Sequence, residues 1–195
     1  MVLNEKLEYI TTWSEATVNL CASPESPGKR MKRAFRNIAV FLLSTPIIAA
    51  IYLLSIFRGK RAAICQFGPI ITKAAKGSLR YWVPDISDPS LFDMFKTQMK
   101  SNIRRWKPLF DISIAEDSPD TFQIHVKNCP FCEVFAHVGL SDINKYFCKA
   151  DWEIANDNRG KWVFTRTRTI ESGDRFCDHT YRRHGSLNQA IQPTG

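Results

Sequence analysis

The sequence predicts an α+β protein in which N-terminal helices, one of them a transmembrane helix, precede a small domain of helices and antiparallel strands. Three patterns predict this fold class. Residues 38–57 contain twenty uncharged residues in a row, residues 92–106 repeat apolar side chains at three- and four-residue spacing, and residues 121–127 and 161–170 alternate apolar and polar side chains. A chain of 195 residues has room for one domain of ordinary size, or for a small domain with an anchor.

The first 28 residues are predicted to form a helix and a linker. Apolar side chains on overlapping turns predict a weakly amphipathic helix over residues 2–21. The segment SPESPG, residues 23–28, ends that helix because two prolines and a glycine cannot continue it.

The uncharged run over residues 38–57 is long enough to cross a membrane, because twenty helical residues extend about 30 Å, the hydrocarbon thickness of a bilayer. Basic residues flank both of its ends: Lys29, Arg30, Lys32, Arg33 and Arg36 before it, and Arg58, Lys60 and Arg61 after it. We therefore predict a single-pass transmembrane segment within residues 29–61, in contact with membrane lipids, whose nearly equal flanks leave its orientation open. The alternative is a soluble cytoplasmic protein in which Pro46 separates two shorter buried helices.

The net charge of +8 comes from one part of the chain. Residues 29–80 hold eleven Lys and Arg and no Asp or Glu, whereas residues 81–195 hold fifteen residues of each sign. A neutral C-terminal part offers no positive field to polyanions, so the distribution argues against nucleic-acid binding and fits a basic collar at a membrane surface. Because unpaired working thiols persist in a reducing compartment, we predict that the C-terminal domain is cytosolic.

A connector is predicted over residues 62–84. Its sequence indicates a second helix, interrupted at Gly68 and Pro69, and then a loop over residues 83–89.

The domain itself is predicted over residues 85–183. Asp88 as a cap and Pro89 at the first helical position begin a helix whose apolar stripe extends over residues 92–106 and which ends before Pro108.

The rest of the domain is predicted as a strand, two short helices and a hairpin. The strand covers residues 121–127, and the helix after it ends at Gly139. Ser141 is predicted to cap a second short helix that continues to about Asp151. Residues 161–170 and 175–183 are predicted to pair as a hairpin, and residues 184–195 form a flexible tail.

Cys129 is the first candidate for a nucleophile or a metal ligand. It directly precedes Pro130 and so is predicted to cap a helix, where free backbone N–H groups and the helix dipole stabilise a thiolate. Cys132 completes a C-x-x-C pair with it. The next cysteines follow after fifteen and then twenty-eight intervening residues, which is not the paired spacing of a zinc ribbon.

Further candidates lie on the second short helix and on the last strand. Cys148 and Asp151 are three residues apart, which places thiol and carboxylate on the same face of the helix. Cys177 and His179 share one face of the last strand, while Asp178 lies on the other.

Two arginines on the preceding strand complete the set. Arg166 and Arg168 alternate along that strand, so both are predicted to point the same way and to hold a carboxylate through paired hydrogen bonds. For each cysteine the alternative is a small hydrophobic residue in a purely structural domain, and for each arginine it is a solvated surface side chain.

The order of these residues resembles the C-terminal signature of the L-2-amino-thiazoline-4-carboxylic acid hydrolase family. The segments NCPFCEVFAHVGL, YFCKAD and FTRTRTIESGDRFCDHTYR carry the resemblance, which covers roughly residues 85–183. The matching positions are Cys129, Glu133, Gly139, Cys148, Asp151, Arg166, Thr167, Thr169, Gly173, Cys177 and Asp178. Cys132 and the pair His179-Thr180 depart from the residues that are more usual in the family.

The resemblance implies hydrolysis of a carbon–nitrogen bond in a cyclic amidine that carries a carboxylate. Such a reaction needs a nucleophile, a proton donor and a cation. Within this hypothesis Cys129 is the nucleophile, Asp151 or Asp178 the acid/base group, Arg166 and Arg168 the carboxylate ligands, and Cys148 and Cys177 supporting thiols.

Two other hypotheses stay open at this point. In one, Cys129, Cys148 and Cys177 bind zinc or iron that activates water, with Cys132 or His179 as a further ligand. In the other, the chain is a membrane-tethered metal-binding or redox module without hydrolytic activity.

Overall fold

A computed structural model describes residues 27–185, so the predicted helix over residues 2–21 and the tail beyond residue 185 lie outside the described residues. Five α-helices occur in the described part: α1 Pro27–Arg58, α2 Lys60–Leu79, α3 Phe92–Trp106, α4 Pro130–His137 and α5 Asn144–Asp157. Four strands join them: β1 Ile112–Asp117, β2 Thr121–Val126, β3 Trp162–Thr165 and β4 Cys177–Arg183. The chain divides into compact units at residues 1–35 and 36–195, and the contacts below all belong to the second unit.

Helix α1 passes through Pro46 without a break. Between Arg30 and Arg58 it has an apolar window with a mean hydropathy of 2.3, and within residues 27–185 no other helix is long and apolar enough to cross a membrane. Length and composition of this kind also occur in the core helices of soluble proteins and in signal sequences.

The predicted interruption of α2 at Gly68 and Pro69 is wrong, since the helix continues from Lys60 to Leu79 with Pro69 inside it. Packing against α5 explains why. The Thr72 hydroxyl donates to the Tyr146 carbonyl at 3.0 Å, and Gly68 is buried against the Tyr146 ring. Tertiary contacts on one side therefore stabilise a helix that local propensity would interrupt.

We expect Gly68→Ala to lower the free energy of unfolding by about 1–3 kcal/mol, because the added methyl group overlaps the Tyr146 ring. Gly77, in the same helix, is the matched control: no atom lies within 4 Å of an added Cβ, so Gly77→Ala should raise stability by about 0.5–1 kcal/mol. Urea unfolding of both variants measures the difference. Equal stabilisation by the two substitutions would contradict this close approach of α2 and α5.

The four strands form one antiparallel sheet in the order β1-β2-β4-β3. The predicted alternation in β2 is confirmed, because Phe122, Ile124 and Val126 are all buried. In the β2–β4 register, Val126 lies opposite Cys177 and Phe122 opposite Tyr181. The β3–β4 hairpin also forms as predicted, although β3 ends at Thr165 instead of continuing to residue 170.

One core cluster lies between the sheet and α3. The apolar stripe of α3 is buried as predicted, with Phe92, Phe95, Met99 and Ile103 all at most 5% exposed. The Asp88 carboxylate accepts the Ser90 N–H at 2.7 Å, which confirms the predicted cap before this helix.

A second cluster joins α1, α2 and α4. Its buried members are Val40, Ile48 and Ile51 from α1, Ala63, Ile64 and Ile71 from α2, and Val134, Phe135, Leu140 and Ile143 from α4 and the turn after it. Helix α5 belongs to both clusters, because Ile154 packs in the first and Tyr146 and Phe147 pack against the second. The middle of α5, with Cys148 and Asp151, lies at their boundary.

The ends of α4 agree with the sequence more closely than those of α5. Cys129 precedes α4 in an extended conformation with Pro130 at its first position, and Gly139, at φ +66°, follows it as predicted. Ser141 is the first residue of a short 3₁₀ turn, Ser141–Ile143, rather than a cap. Helix α5 then continues six residues beyond Asp151, because Ile154 extends its buried face into the sheet cluster.

Candidate active site

The predicted site residues converge where α4, α5 and two strands meet. Cys129 is the N-cap of α4, three residues after the end of β2. Strand pairing brings Cys177, the first residue of β4, opposite Val126 at that same end. Cys148 and Asp151 lie on α5, and the segment after β3 contributes Arg166.

A buried ion pair lies at the centre of this group. Arg166 Nη1 lies 2.5 Å from Asp151 Oδ2, and the two side chains are 4% and 14% exposed. Arg166 Nη2 also donates to the Cys148 carbonyl at 3.1 Å. The buried Arg166 Nε–H has no hydrogen-bond partner among the described residues. The Arg166 guanidinium is thus bound through both Nη groups, while its Nε–H can donate to another group.

The Cys129 thiol has a pKa below its ordinary value. The Cys132 thiol, which donates to the Cys129 sulfur, is the largest cause. Burial opposes the effect, the backbone N–H groups of Cys132 and Phe131 add to it, and the Asp151 charge works against it. The sequence argument named the helix start as the cause, whereas the largest cause in the structure is the Cys132 thiol, and the backbone N–H groups contribute less.

The other three thiols of the site are protonated at neutral pH. Burial raises the pKa of Cys148 to about 12, partly offset by Arg166. Burial also raises the pKa of Cys177, although the Ile170 N–H donates to its sulfur at 3.3 Å. The pKa of Cys132 is raised above its ordinary value by its hydrogen bond to Cys129 and by burial. Cys129 is therefore the thiol of this group that ionises first.

We expect iodoacetamide near neutral pH to modify Cys129 at least about tenfold faster than Cys148 or Cys177. The pKa of Cys129 is lowered and the other two are raised, so a larger fraction of Cys129 is thiolate at that pH. Peptide mass spectrometry of the native protein measures the three rates. Cys132→Ala removes the donor to Cys129, so its labelling should then require a higher pH. An unchanged pH profile in that variant would argue against the Cys129–Cys132 hydrogen bond.

The Asp178 carboxylate is hydrogen-bonded to the segment that follows β3. Its carboxylate accepts the Thr167 N–H at 2.9 Å, the Thr167 hydroxyl at 2.6 Å and the Arg168 N–H at 2.5 Å. Burial raises its pKa, but these hydrogen bonds together hold it below the ordinary value. The same bonds replace regular strand pairing, which explains why β3 ends at Thr165.

The two arginines have separate partners rather than one shared ligand site. Arg166 is paired with Asp151, whereas the exposed Arg168 guanidinium lies 5.3 Å from the centre of the Phe176 ring. His179 lies edge-on to Phe164 at 5.5 Å, and burial lowers its pKa, so its imidazole is neutral.

The described residues do not form a ready-made set of metal ligands. Within residues 27–185, no group of three or more His, Cys, Asp and Glu side chains is arranged to hold a metal ion. Cys129, Cys148 and Cys177 are close enough to influence one another's ionisation, and the Asp151 charge acts to raise the pKa of each.

Two features were not predicted from the sequence. Glu133 accepts hydrogen bonds from Arg36 and Asn37, both at 2.8 Å, and so joins the first turn of α4 to α1. A surface cavity of about 310 Å³ lies away from the thiols, lined by Arg80, Val83, Asp85, Ile154, Asp157, Asn158 and Lys161. None of its lining residues was a predicted site residue.

Comparison with known proteins yields one family. The model of a family described as L-2-amino-thiazoline-4-carboxylic acid hydrolase matches residues 61–181, more than half of the chain. The match includes every predicted site residue and also α2, which the sequence had assigned to a connector. Neither the curated proteins nor the solved structures contain a match to this chain.

Proposed function

The chain belongs to the L-2-amino-thiazoline-4-carboxylic acid hydrolase family, and on this premise we propose that it hydrolyses a cyclic amidine bearing a carboxylate, with Cys129 as the nucleophile. The observation that carries the proposal is the lowered pKa of Cys129 beside the buried Asp151–Arg166 pair. A thiolate, a carboxylate and a guanidinium in one buried place are the three groups that the reaction needs.

The proposed reaction has two halves. In the first, the Cys129 thiolate adds to the carbon of the protonated amidine, whose ring nitrogen already carries one hydrogen. The ring carbon–nitrogen bond breaks with its electron pair on the ring nitrogen, and Asp151 takes a proton from the exocyclic nitrogen and gives it to the ring nitrogen, which becomes an amine. In the second, water adds its oxygen to the same carbon, and Asp151 passes one proton of that water to the exocyclic nitrogen. The bond to Cys129 then breaks with its electron pair on the sulfur, the hydroxyl proton goes to the freed amine, and a carbamoyl-cysteine is released.

The remaining site residues support these steps. Arg166 provides a buried positive charge near the reacting carbon, and Arg168 an exposed one for the substrate carboxylate. Cys148 and Cys177 line the site as neutral thiols, which do not compete with Cys129 as nucleophiles. Asp178 positions the arginine segment through its bonds to residues 167 and 168.

Incubation of the purified chain with L-2-amino-thiazoline-4-carboxylate in ¹⁸O-labelled water tests the proposal. We expect a carbamoyl-cysteine with one ¹⁸O in its carbamoyl group, and a covalent adduct on Cys129 after rapid acid quenching. Product without an adduct would favour direct attack by water, and no product from any cyclic amidine would refute the hydrolase.

One observation favours a second candidate, a dithiol redox module. Cys129 and Cys132 are hydrogen-bonded thiols whose pKa values are shifted in opposite directions, as suits an attacking thiol and its resolving partner. Such a module would form a Cys129–Cys132 disulfide with a defined reduction potential and would leave cyclic amidines unchanged.

We also propose that α1 binds the chain to a membrane, with the thiol-bearing domain on the cytosolic side. The length and apolar character of α1 and the basic residues at both of its ends support membrane binding. The free cysteines at positions 65, 129, 132, 148 and 177 fit a reducing compartment. A single pass through the bilayer and a position of α1 in the plane of the bilayer are the two forms that this association can take.

A further inference from the structure

Helix α1 has two apolar faces. One face is buried in the second core cluster through Val40, Ile48 and Ile51. The opposite face is here called the outer face. With a rotation of 100° per residue, its side chains lie within about 60° of one another around the helix axis. Its members are Ile38, Leu42, Leu53 and Ile56, which are exposed by 56%, 65%, 62% and 77%. Only 22% of the apolar window of α1 is buried, so most of this apolar surface needs another partner.

Two polar contacts hold α1 lengthwise on the domain. About a third of the way along α1, Arg36 and Asn37 donate to Glu133 in the first turn of α4. Further along, the Tyr52 hydroxyl donates to the Val138 carbonyl just after α4 ends. The segment from Arg36 to Tyr52 is about 24 Å long at 1.5 Å per residue. The domain therefore accompanies α1 along most of its apolar length.

This packing is incompatible with a helix surrounded by hydrocarbon. Helix α2 packs on the same cluster as α1 and carries an exposed Lys73 together with Lys76, which pairs with Asp157 at 2.8 Å. Ile71, two residues before Lys73, is buried in the same cluster as Val40, Ile48 and Ile51, so this charge follows closely a side chain that packs with the apolar part of α1. On insertion scales each lysine costs roughly 2.5–3.5 kcal/mol at the membrane centre. The charges of α2 thus favour a bilayer that contacts α1 from one side.

The charges around α1 identify the surface that it fits. No Asp or Glu occurs between residues 29 and 80, while Arg58, Lys60 and Arg61 are exposed directly after the apolar stripe. Each Lys or Arg close to an anionic membrane contributes about 1 kcal/mol to binding. An apolar face with basic ends is the pattern of a helix that lies in the headgroup region of such a membrane.

We propose that α1 lies in the plane of an anionic bilayer, with its outer face in the lipid and its opposite face on the domain, and does not cross the membrane. The inference rests on the membrane association proposed above and specifies its geometry. It places the first turn of α4, and with it Cys129, one helix away from the lipid surface. The bond between Glu133 and Arg36 fixes that distance.

Labelling of Lys32 and Lys60 distinguishes the two geometries. The full chain is bound to sealed vesicles of phosphatidylcholine with about 30 mol % phosphatidylserine and treated from outside with a membrane-impermeant amine reagent. A helix in the plane leaves both lysines of one molecule reactive, and intact-mass and peptide analysis should find them modified together. In protein that resists carbonate extraction, each molecule could instead be modified at only one of the two lysines until detergent is added. That result would show a spanning helix and overturn the proposal, while the membrane association itself would stand.

Variants of the outer face test the contact itself. Leu42→Glu combined with Leu53→Glu should weaken vesicle binding at least about tenfold, because two carboxylates then face the lipid. Ile114→Glu is the matched control, since Ile114 is an exposed apolar residue of β1, outside α1, and its replacement should leave binding unchanged. Vesicles of phosphatidylcholine alone should bind the native chain more weakly.

Other results would refute the in-plane contact. Equal binding by the outer-face variant and the control would exclude the outer face as the lipid contact. A native chain that binds no vesicles, but forms a dimer that the outer-face substitutions abolish, would assign this face to a second copy of the chain and would remove the membrane proposal as well. Hydrolysis of a cyclic amidine is measured separately and does not depend on either result.

Discussion

Cys129→Ser is expected to lower the turnover of a cyclic amidine at least about 10³-fold, because serine lacks the ionised sulfur that attacks the amidine carbon. The thermal midpoint should change little. Residue 129 is the N-cap of α4, a position at which serine is among the favoured residues. Steady-state kinetics and thermal unfolding of the same preparation therefore separate a chemical role from a structural one.

Two further cysteine variants make the result specific. Cys65 is exposed and lies outside the site, so Cys65→Ser should keep full activity. Cys132→Ala leaves the nucleophile in place but removes the hydrogen bond that lowers its pKa, so most activity should remain at a pH high enough to ionise Cys129. Wild-type rates in Cys129→Ser would refute the assignment of the nucleophile, whatever the stability of that variant.

Arg166→Ala is expected to lower the free energy of unfolding by about 3–5 kcal/mol, because it leaves the Asp151 carboxylate buried without its partner. Activity should fall as well, because the positive charge beside the thiols is lost. Denaturant unfolding at neutral pH measures the loss of stability. The measured activity is divided by the fraction of the variant that is folded at the assay temperature, so that unfolding is not counted as lost catalysis.

Arg168→Ala is the matched control, since the exposed Arg168 guanidinium lies over the Phe176 ring and its loss should cost less than about 1 kcal/mol. Adding Asp151→Asn to Arg166→Ala should restore part of the stability, because no unpaired charge then remains buried. If Arg166→Ala and Arg168→Ala cost the same, the Asp151–Arg166 pair is not buried as described.

Local patterns predicted most of the secondary structure. Period-two alternation identified β2 and β3, the turn after residue 170 indicated β4 as the second strand of a hairpin, and the apolar stripe, cap and proline identified α3. Strand β1 was not predicted. It is an edge strand in which only Ile112 is buried, so buried and exposed side chains do not alternate along it. The break at Gly68 was wrong for the opposite reason, since a contact with Tyr146, far away in sequence, stabilises the helix there.

The candidate site shows the same limit. The position of Cys129 before Pro130 was enough to predict its place at a helix start, because a helix start is a local property, whereas the largest cause of its lowered pKa, the Cys132 thiol, was not predicted. The pairing of Asp151 with Arg166 joins a helix to a segment fifteen residues later, and no local pattern encodes it. The expected joint use of Arg166 and Arg168 assumed an intact strand, whereas the Asp178 carboxylate ends that strand at Thr165.

The order of the elements along the chain also sets an order in time. Helix α1 ends at Arg58, whereas the site is complete only when Cys177, 119 residues later, lies beside β2. At about 5–20 residues per second, a ribosome needs roughly 6–24 s to synthesise that interval. During synthesis the apolar stripe of α1 is thus made seconds before the thiols can come together, so the membrane contact proposed above would form on a nascent chain whose proposed active site is still incomplete.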